Sequence, residues 1–377
     1  MRRFWLVLFG LVAGFLLVEL GVRSLVRVDG DGQRWLGERR LVPWQLPLAQ
    51  LADRLDDLEH PDSLLRYDAA LGWAPRAGAQ SRDGKVSIDA TGARRGGVQS
   101  AEEVPQLRIV ALGDSFAFGD EVADTETWPA QLENLLRQEG RPGEVINLGV
   151  NAYGLDQAVL RFERDGVPLD PDVVILGLQP ENLMRNLNVL RSFYFPNTVV
   201  PLSKPRFVAD GEDFALLNQP TLAPGELATI LADPGTSDLL AHEWWFDEHY
   251  RDSPWYRSHL LALVGSLLVS GDARRASFQL NPEMSAIGNH LVNRLAAAVA
   301  QSGARLVLVH TPRREDLESF RQGEAPWYEP WLLEIGQRHE LVRPESELGT
   351  GDEAFEPGGH YSPAQNRRVA ASLLGRF

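Results

Sequence analysis

Leu107-Arg108-Ile109-Val110-Ala111-Leu112 is a short apolar run that stops at Gly113-Asp114-Ser115. A run of this length, closed by turn residues, reads as a buried strand. Trp128 to Gln138 then carries Leu132, Leu135 and Leu136 at helical spacing. The unit is strand, loop, helix, and it recurs further along. Val145-Ile146-Asn147-Leu148-Gly149 is a second buried strand entering a loop, followed by a helix from about Leu155 to Asp165. Asp172-Val173-Val174-Ile175-Leu176-Gly177 is a third strand, and the amphipathic stretch Ser285 to Gln301 leads into a fourth, Arg305-Leu306-Val307-Leu308-Val309-His310. Pro363 to Phe377 reads as a closing helix with Val369, Leu373 and Leu374 on its inner side. Strands apolar on both faces belong in a parallel sheet covered by helices. The expected class is therefore α/β, a three-layer α/β/α sandwich with a mainly parallel sheet.

Between Leu183 and Pro282 the alternation is lost to Pro-rich loops and the aromatic cluster Trp244-Trp245-Phe246, which reads as an insertion or cap. Leu260 to Val269 is apolar, but ten residues do not span a bilayer. Upstream, Asp29 to about Arg66 carries Trp35, Trp44 and the helix-like stretch Leu48 to Leu58, and reads as a stalk packed on the main domain. The expected division is an N-terminal membrane anchor at 1–25, a stalk and lead-in segment at 26–103, and the α/β domain at 104–377 with its insertion at about 183–282.

The chain has 377 residues, 44% hydrophobic and 24% charged, as folded domains in water have. A formal net charge of -15 argues against nucleic acid as a partner, because phosphate binding depends on Lys and Arg. Cysteine is absent, which removes disulfides, thiolate catalysis and Cys-based metal sites. Met1-Arg2-Arg3 precedes an apolar run from Phe4 to Val22 that is interrupted only by Glu19, the layout of an export signal. No small-x-small cleavage site follows, so an uncleaved single span is expected. Its 19 residues are at the short end for about 30 Å of hydrocarbon, and Glu19 is expected to reach the interface. Arg23, Arg27, Arg34, Arg39 and Arg40 outnumber Arg2 and Arg3, against a simple positive-inside orientation, but large domains translocate regardless of such charges. The expected location is the inner (cytoplasmic) membrane, single-pass, with the folded domain on the periplasmic side.

Open α/β sheets place ligands at the carboxyl ends of their strands, so the loops there are where chemistry is sought. The first, Gly113-Asp114-Ser115-Phe116-Ala117-Phe118-Gly119, would expose the Ser115 hydroxyl and backbone N–H at the sheet edge. The second, Asn147 to Gly154, could offer backbone N–H groups to a developing oxyanion. In the third, Leu178-Gln179-Pro180-Glu181-Asn182, the Asn182 amide could donate a further hydrogen bond. Gly358-Gly359-His360-Tyr361-Ser362-Pro363 places a histidine on a flexible loop, free to serve a serine as general base. Each piece alone is also an ordinary turn.

Together the four elements, in the order Ser, backbone donor, Asn, His, resemble the SGNH (GDSL-type) hydrolase family over roughly 107–377, with the middle insertion unmatched. The stretch Tyr67-Asp68-Ala69-Ala70-Leu71-Gly72-Trp73 also looks like the lead-in of membrane-anchored bacterial members. The resemblance implies an SGNH/flavodoxin-like sheet, Ser115 as nucleophile, His360 as base, and an oxyanion hole of Ser115, Ala152 and Asn182. Three positions depart from the family pattern. Ala152 stands where glycine is usual, Leu183 follows the Asn where Asp is common, and the usual Asp before the histidine is missing. Glu356 is the nearest carboxylate, with Asp352 and Glu353 further back. Glu356 could orient His360, the site could be a Ser–His dyad, or hydrolysis could have been lost.

His242, Glu243, Asp247, Glu248 and His249 lack the i, i+4 histidine geometry of a metal helix, and no Gly-Lys-Ser/Thr or Gly-x-Gly-x-x-Gly fingerprint is present. Neither metal nor cofactor is expected. Ten tryptophans include Trp244, Trp245, Trp255, Trp327 and Trp331, which could stack on sugar rings or simply fill the core. The function these features imply is an exported, membrane-anchored serine esterase removing O-acyl (acetyl) groups, with an acylated envelope or exported polysaccharide, or another small ester, as substrate. An O-acyltransferase on the same fold is one alternative. A non-catalytic polysaccharide-binding or assembly subunit with a degenerate site is another, and oligomeric state is left open.

Overall fold

The computed structural model describes residues 1–96, 105–211, 213–269 and 281–377, so the expected domain boundary at 103/104 lies outside the described residues. Helix α1 (Arg2–Leu25) has no buried residue and is long and apolar enough to cross a membrane. Three short strands, β1 (Arg27–Val28), β2 (Arg34–Leu36) and β3 (Arg39–Arg40), form a small antiparallel sheet. Helix α2 (Leu48–Glu59) and the hairpin of β4 (Leu65–Asp68) and β5 (Gly72–Pro75) follow. The segment after α1 is built into the body. Leu51, Leu55, Leu58, Leu71 and Trp73 share one core with the main sheet.

The main sheet begins with β6 (Leu107–Leu112), whose chain turns through helix α3 (Ser115–Phe118) and helix α4 (Trp128–Gln138) into β7 (Gly143–Asn147). Thr127 caps α4 by accepting from the Ala130 N–H at 3.3 Å, and Pro129 suits its first turn. Helix α5 (Leu155–Arg161) comes next. The helix expected to reach Asp165 stops being α-helical at Arg161 and continues as one wider π-turn through Gly166. Strand β8 (Val173–Leu178) opens the region 183–282, which is neither strandless nor helix-free. It holds α6 (Glu181–Arg185), α7 (Arg191–Tyr194), the hairpin of β9 (Arg206–Asp210) and β10 (Asp213–Leu217), α8 (Pro224–Ala232) and α9 (His259–Leu268). Helix α10 (Pro282–Gln301), capped by Asn281, returns the chain to β11 (Arg305–His310). Helices α11 (Arg314–Arg321) and α12 (Glu329–Arg338), strand β12 (Leu341–Val342) and helix α13 (Pro363–Leu374) complete the chain.

The five strands are all parallel, in the order β12-β11-β8-β6-β7. Successive strand residues point to opposite faces. Ile109 and Ala111 of β6 meet Trp128, Leu132 and Leu136 of α4 and Val369 and Leu373 of α13, while Val110 and Leu112 face the core shared with α5 and α10. The fifth strand, β12, has two residues, too few for a sequence pattern to show. Chain direction across the sheet reverses between β6 and β8, the switch point where open α/β sheets bind ligands.

Glu19 does not simply reach towards water. Its carboxylate accepts hydrogen bonds from Ser258 Oγ at 2.6 Å and from the N–H groups of His259 and Leu260 at 2.9 and 2.8 Å.

Candidate active site

Ser115 is the first residue of α3, and Asp114 caps that helix by accepting from the Phe116 N–H at 3.0 Å. The loop after β7 is pressed against α3. An added Cβ at Gly149 would lie 2.5 Å from the Phe118 nitrogen, and the Asn147 amide donates to the Ala117 carbonyl at 2.8 Å. Loop and helix approach this closely because glycine has no side chain there.

His360 arrives from the far end of the chain, 245 positions away, and its Nε2 lies 2.9 Å from Ser115 Oγ. Tyr361 fixes its approach. The buried Tyr361 hydroxyl donates to the Pro312 carbonyl at 2.7 Å and its ring stands edge-on to Phe116, while Ser362 caps α13. The adjoining loop is therefore held from both sides.

The carboxylate on the other ring nitrogen is that of Glu121. Its Oε2 is 2.8 Å from His360 Nδ1, and its Oε1 accepts from the Gly358 N–H at 2.7 Å. Burial alone would raise the Glu121 pKa, but the hydrogen bonds from His360 and Gly358 outweigh it and hold the carboxyl below its ordinary value. An ionised Glu121 accepts a hydrogen bond from Nδ1–H, which leaves Nε2 unprotonated and free to accept the serine proton. Glu356, expected at this place, contributes only backbone. Its N–H donates to the His360 carbonyl at 2.8 Å, and its carbonyl accepts from Gly359. The turn that carries it is closed by a backbone bridge between Phe355 and Tyr361. Asp120 stands on the opposite side of the ring, 3.8 Å from Nε2, with its other oxygen held by the Asn151 amide. Burial pushes its carboxyl up against the pull of His360.

Glu121 holds its place through a left-handed backbone, φ 72°, inside a loop clamped by Arg94. The buried Arg94 donates to the carbonyls of Phe118 at 2.8 Å and Val122 at 2.7 Å and pairs with Asp124 at 3.0 Å. Neither residue stood out in the sequence. Glu121 follows the serine by six positions rather than preceding the histidine, and Arg94 lies in a Gly- and Arg-rich stretch that resembles any loop.

Among the described residues nothing accepts the backbone N–H of Ser115 or Ala152. Ala152 also adopts a left-handed conformation, φ 67°, that a glycine would take without strain. Asn182 is buried at the start of α6, and its amide oxygen accepts from Arg185 Nη1 at 3.0 Å. That bond uses the amide oxygen and leaves the NH2 group as the donor end. The same guanidinium group reaches the Tyr153 carbonyl at 2.6 Å and Asp114 at 3.4 Å, so one buried cation ties together the loops after β6, β7 and β8.

Beside Asn182, between the ends of β8 and β11, lies a cavity of about 360 Å³. Tyr194, Phe195, Trp245, Trp327 and Tyr328 line it together with Glu181, which is bonded to Tyr194 and Arg313. Of the other tryptophans, Trp244 stands edge-on to Trp245, Trp331 is buried and bonded to Asn289, and Trp255 is exposed elsewhere. Glu243 is buried on Asn188 and the N–H groups of Val189 and Leu190, while the side chains of Asp247 and Glu248 lie outside the described residues. The described residues contain no cluster of metal-binding side chains.

Sheet order and the Ser–His pair at its carboxyl edge define the class: a three-layer α/β/α fold around a parallel sheet, with a hydrogen-bonded serine and histidine at the switch point. Among solved structures, the chain is similar to a protein ascribed to the G-D-S-L lipolytic family from Desulfitobacterium hafniense, at 13% identity and TM-score 0.35, over 72% of this chain and all of that one. It is also similar to TesA, at 12% identity and TM-score 0.36 over 71% of this chain and 96% of that one. Axe2, an acetylxylan esterase from Geobacillus stearothermophilus, aligns at 12% identity and TM-score 0.39 over 73% of this chain and 95% of that one. At these values the likeness carries no argument about activity or substrate. No protein-family model matches the sequence, and no curated protein matches it.

Proposed function

We propose that this chain is a membrane-anchored, exported serine esterase that removes O-acyl groups, acetyl above all, from a polysaccharide. The observation that carries the reading is the continuous hydrogen-bond chain from Glu121 through His360 to Ser115. In the first step His360 Nε2 takes the Ser115 proton and Oγ attacks the ester carbonyl. The resulting oxyanion is received by the N–H groups of Ser115 and Ala152 and by the Asn182 amide. His360 returns the proton to the departing sugar oxygen, which leaves Ser115 acylated. Water then attacks the acyl-enzyme with His360 again as base, the Ser115 Oγ–acyl bond breaks, and His360 returns the proton to Ser115 Oγ as the free acid departs. Glu121 keeps the ring oriented and stabilises the imidazolium that forms.

Support for a working rather than a degenerate site comes from the Glu121 carboxylate on His360 Nδ1, an acid from the serine's own loop in place of the one missing before the histidine. Support for a sugar as substrate comes from the cavity beside Asn182, where the exposed Phe195 and half-buried Trp327 stand with Glu181, because aromatic faces combined with carboxylates suit sugar rings. Support for the anchor comes from α1.

The test is fluorophosphonate labelling and acetyl-ester hydrolysis by the full chain in detergent, with S115A and H360A alongside. Wild type should label and turn over, and both variants should lose at least about 10³-fold in kcat. Undiminished turnover by S115A would overturn the reading. Acetylated sugar outpacing free acetate when an acceptor is supplied would assign the site to acyl transfer instead.

A further inference from the structure

The Glu19 carboxylate lies inside the apolar stretch of α1, yet it is fully engaged by another helix. It accepts from Ser258 Oγ, His259 N–H and Leu260 N–H, and His259 Nδ1 is 3.5 Å away. These donors form the first turn of α9, which packs on α1. Apart from His259, the helix His259–Leu268 holds no ionisable residue. One side of α9 is fixed to the body. Ser266 Oγ accepts from the Val42 N–H at 2.9 Å, Ala262 is fully buried, and a Cβ at Gly265 would come within 2.9 Å of Val42 and Tyr256. The other side presents exposed apolar side chains: Val264 and Leu268 are 44% and 74% exposed, and Trp255, just upstream, is 72% exposed.

We propose that α9 is a second membrane element, embedded in the lipid interface beside the span and joined to it through Glu19. The inference rests on the anchor reading above, and depth then follows from geometry. Glu19 precedes Arg23 by four residues, about 6 Å along the helix axis. If Phe4–Val22 crosses the bilayer, whatever bonds to the Glu19 carboxylate lies at the depth of its outer end. Ten residues reach about 15 Å, too short to cross the bilayer, so α9 lies in the interface as a monotopic helix does. Trp255 suits the headgroup level, where aromatic residues anchor membrane proteins. The N-terminal N–H groups of α9 in turn satisfy a carboxylate that lipid would leave without partners. Because α9 is fixed to the body, the catalytic domain is set at one height and tilt on the membrane rather than swinging on a tether. Its substrate is then one presented close to the lipid surface.

The absence of native cysteine makes single-cysteine probes clean. Leu268→Cys, Leu11→Cys and Leu333→Cys, all at exposed positions, are labelled with an environment-sensitive fluorophore in the full chain. Each is reconstituted in phosphatidylcholine–phosphatidylglycerol vesicles, with and without nitroxide-labelled acyl chains. The expected result is blue-shifted emission and several-fold quenching at 268 and 11, but solvent-like emission at 333. Quenching at 11 with solvent-like emission at 268 overturns the proposal and leaves the anchor standing. Solvent-like emission at both shows that the anchor reading itself has failed. Oxidative disulfide dimers of the unlabelled Leu268→Cys chain, with no lipid quenching of the labelled one, assign the face to a second copy and also overturn it. Glu19→Ala is expected to reduce quenching at 268 while leaving 11 unchanged.

Discussion

Glu121 and Glu356 present a clean contrast between two carboxylates near one histidine, of which only the first touches the ring. Glu121→Ala should lower kcat by about 10² to 10⁴-fold with little change in KM, the range expected when a histidine loses its orienting acid. Glu356→Gln should leave both within about twofold of wild type. Steady-state hydrolysis of an acetyl ester measures both, and an unimpaired Glu121→Ala would make the site a Ser–His dyad. The same carboxylate has a pH signature. Its folded pKa lies below the ordinary 4.5, so its contribution to stability is fully present above that value and is lost as pH falls through the folded pKa. Melting temperature should therefore fall more steeply below pH 4.5 in wild type than in Glu121→Gln. Ala152 offers a second residue-scale test. Relief of left-handed strain, about 1 kcal/mol, nearly cancels the entropic cost of glycine, so Ala152→Gly should leave stability within about 1 kcal/mol and activity intact. Ala152→Val, β-branched at φ 67°, should lose both, as melting and turnover would show.

At the scale of elements, what could be read in the chain depended on how local its cause was. Strands β6 and β11 and helix α4 lie at the residues their apolar runs indicate, because each carries its own period and α4 its own cap. Ser115, Asn182 and His360 are legible only through the joint resemblance of four loop elements, each of which alone reads as an ordinary turn. Glu121 and Arg94 are not, because their roles depend on a left-handed turn and on carbonyls contributed by a different segment. The region 183–282 was opaque for a similar reason: long-range polar contacts fix it more than periodicity does. Lys204, just before β9, forms a fully buried ion pair with Asp156 in the first turn of α5. Removing one partner strands a charge in the core. Asp156→Ala should therefore cost about 3–5 kcal/mol in chemical denaturation, while the double variant Asp156→Leu with Lys204→Met should recover most of that. A double variant as unstable as the single would show that the pair's hydrogen bonds, rather than the stranded charge, hold the insertion down.

Across the whole molecule, the lead-in is inseparable from the sheet it precedes, which sets where the chain tolerates truncation. Trp73 is fully buried against Tyr153 and donates to the Asn151 carbonyl at 2.9 Å, and Leu51, Leu55, Leu58 and Leu71 join it in the core beneath β6 and β8. Burying each leucine contributes about 1.5–3 kcal/mol, and an indole more. Their sum matches the whole net stability of an ordinary domain, about 5–15 kcal/mol. Arg94 adds the clamp on the loop that carries Glu121, so the segment also reaches the chemistry. A chain beginning at residue 104 should therefore lack both a cooperative melting transition and fluorophosphonate labelling. A chain beginning at residue 26 keeps every one of these contacts and should retain both, although it leaves the first turn of α9 without the Glu19 carboxylate and its apolar face open to water. Self-association of that shorter chain, reversed by detergent, is the expected cost and can be read by sedimentation. If the 104–377 fragment melted cooperatively and reacted with the probe, the lead-in would be an accessory layer, and the catalytic loop would hold its shape without Arg94.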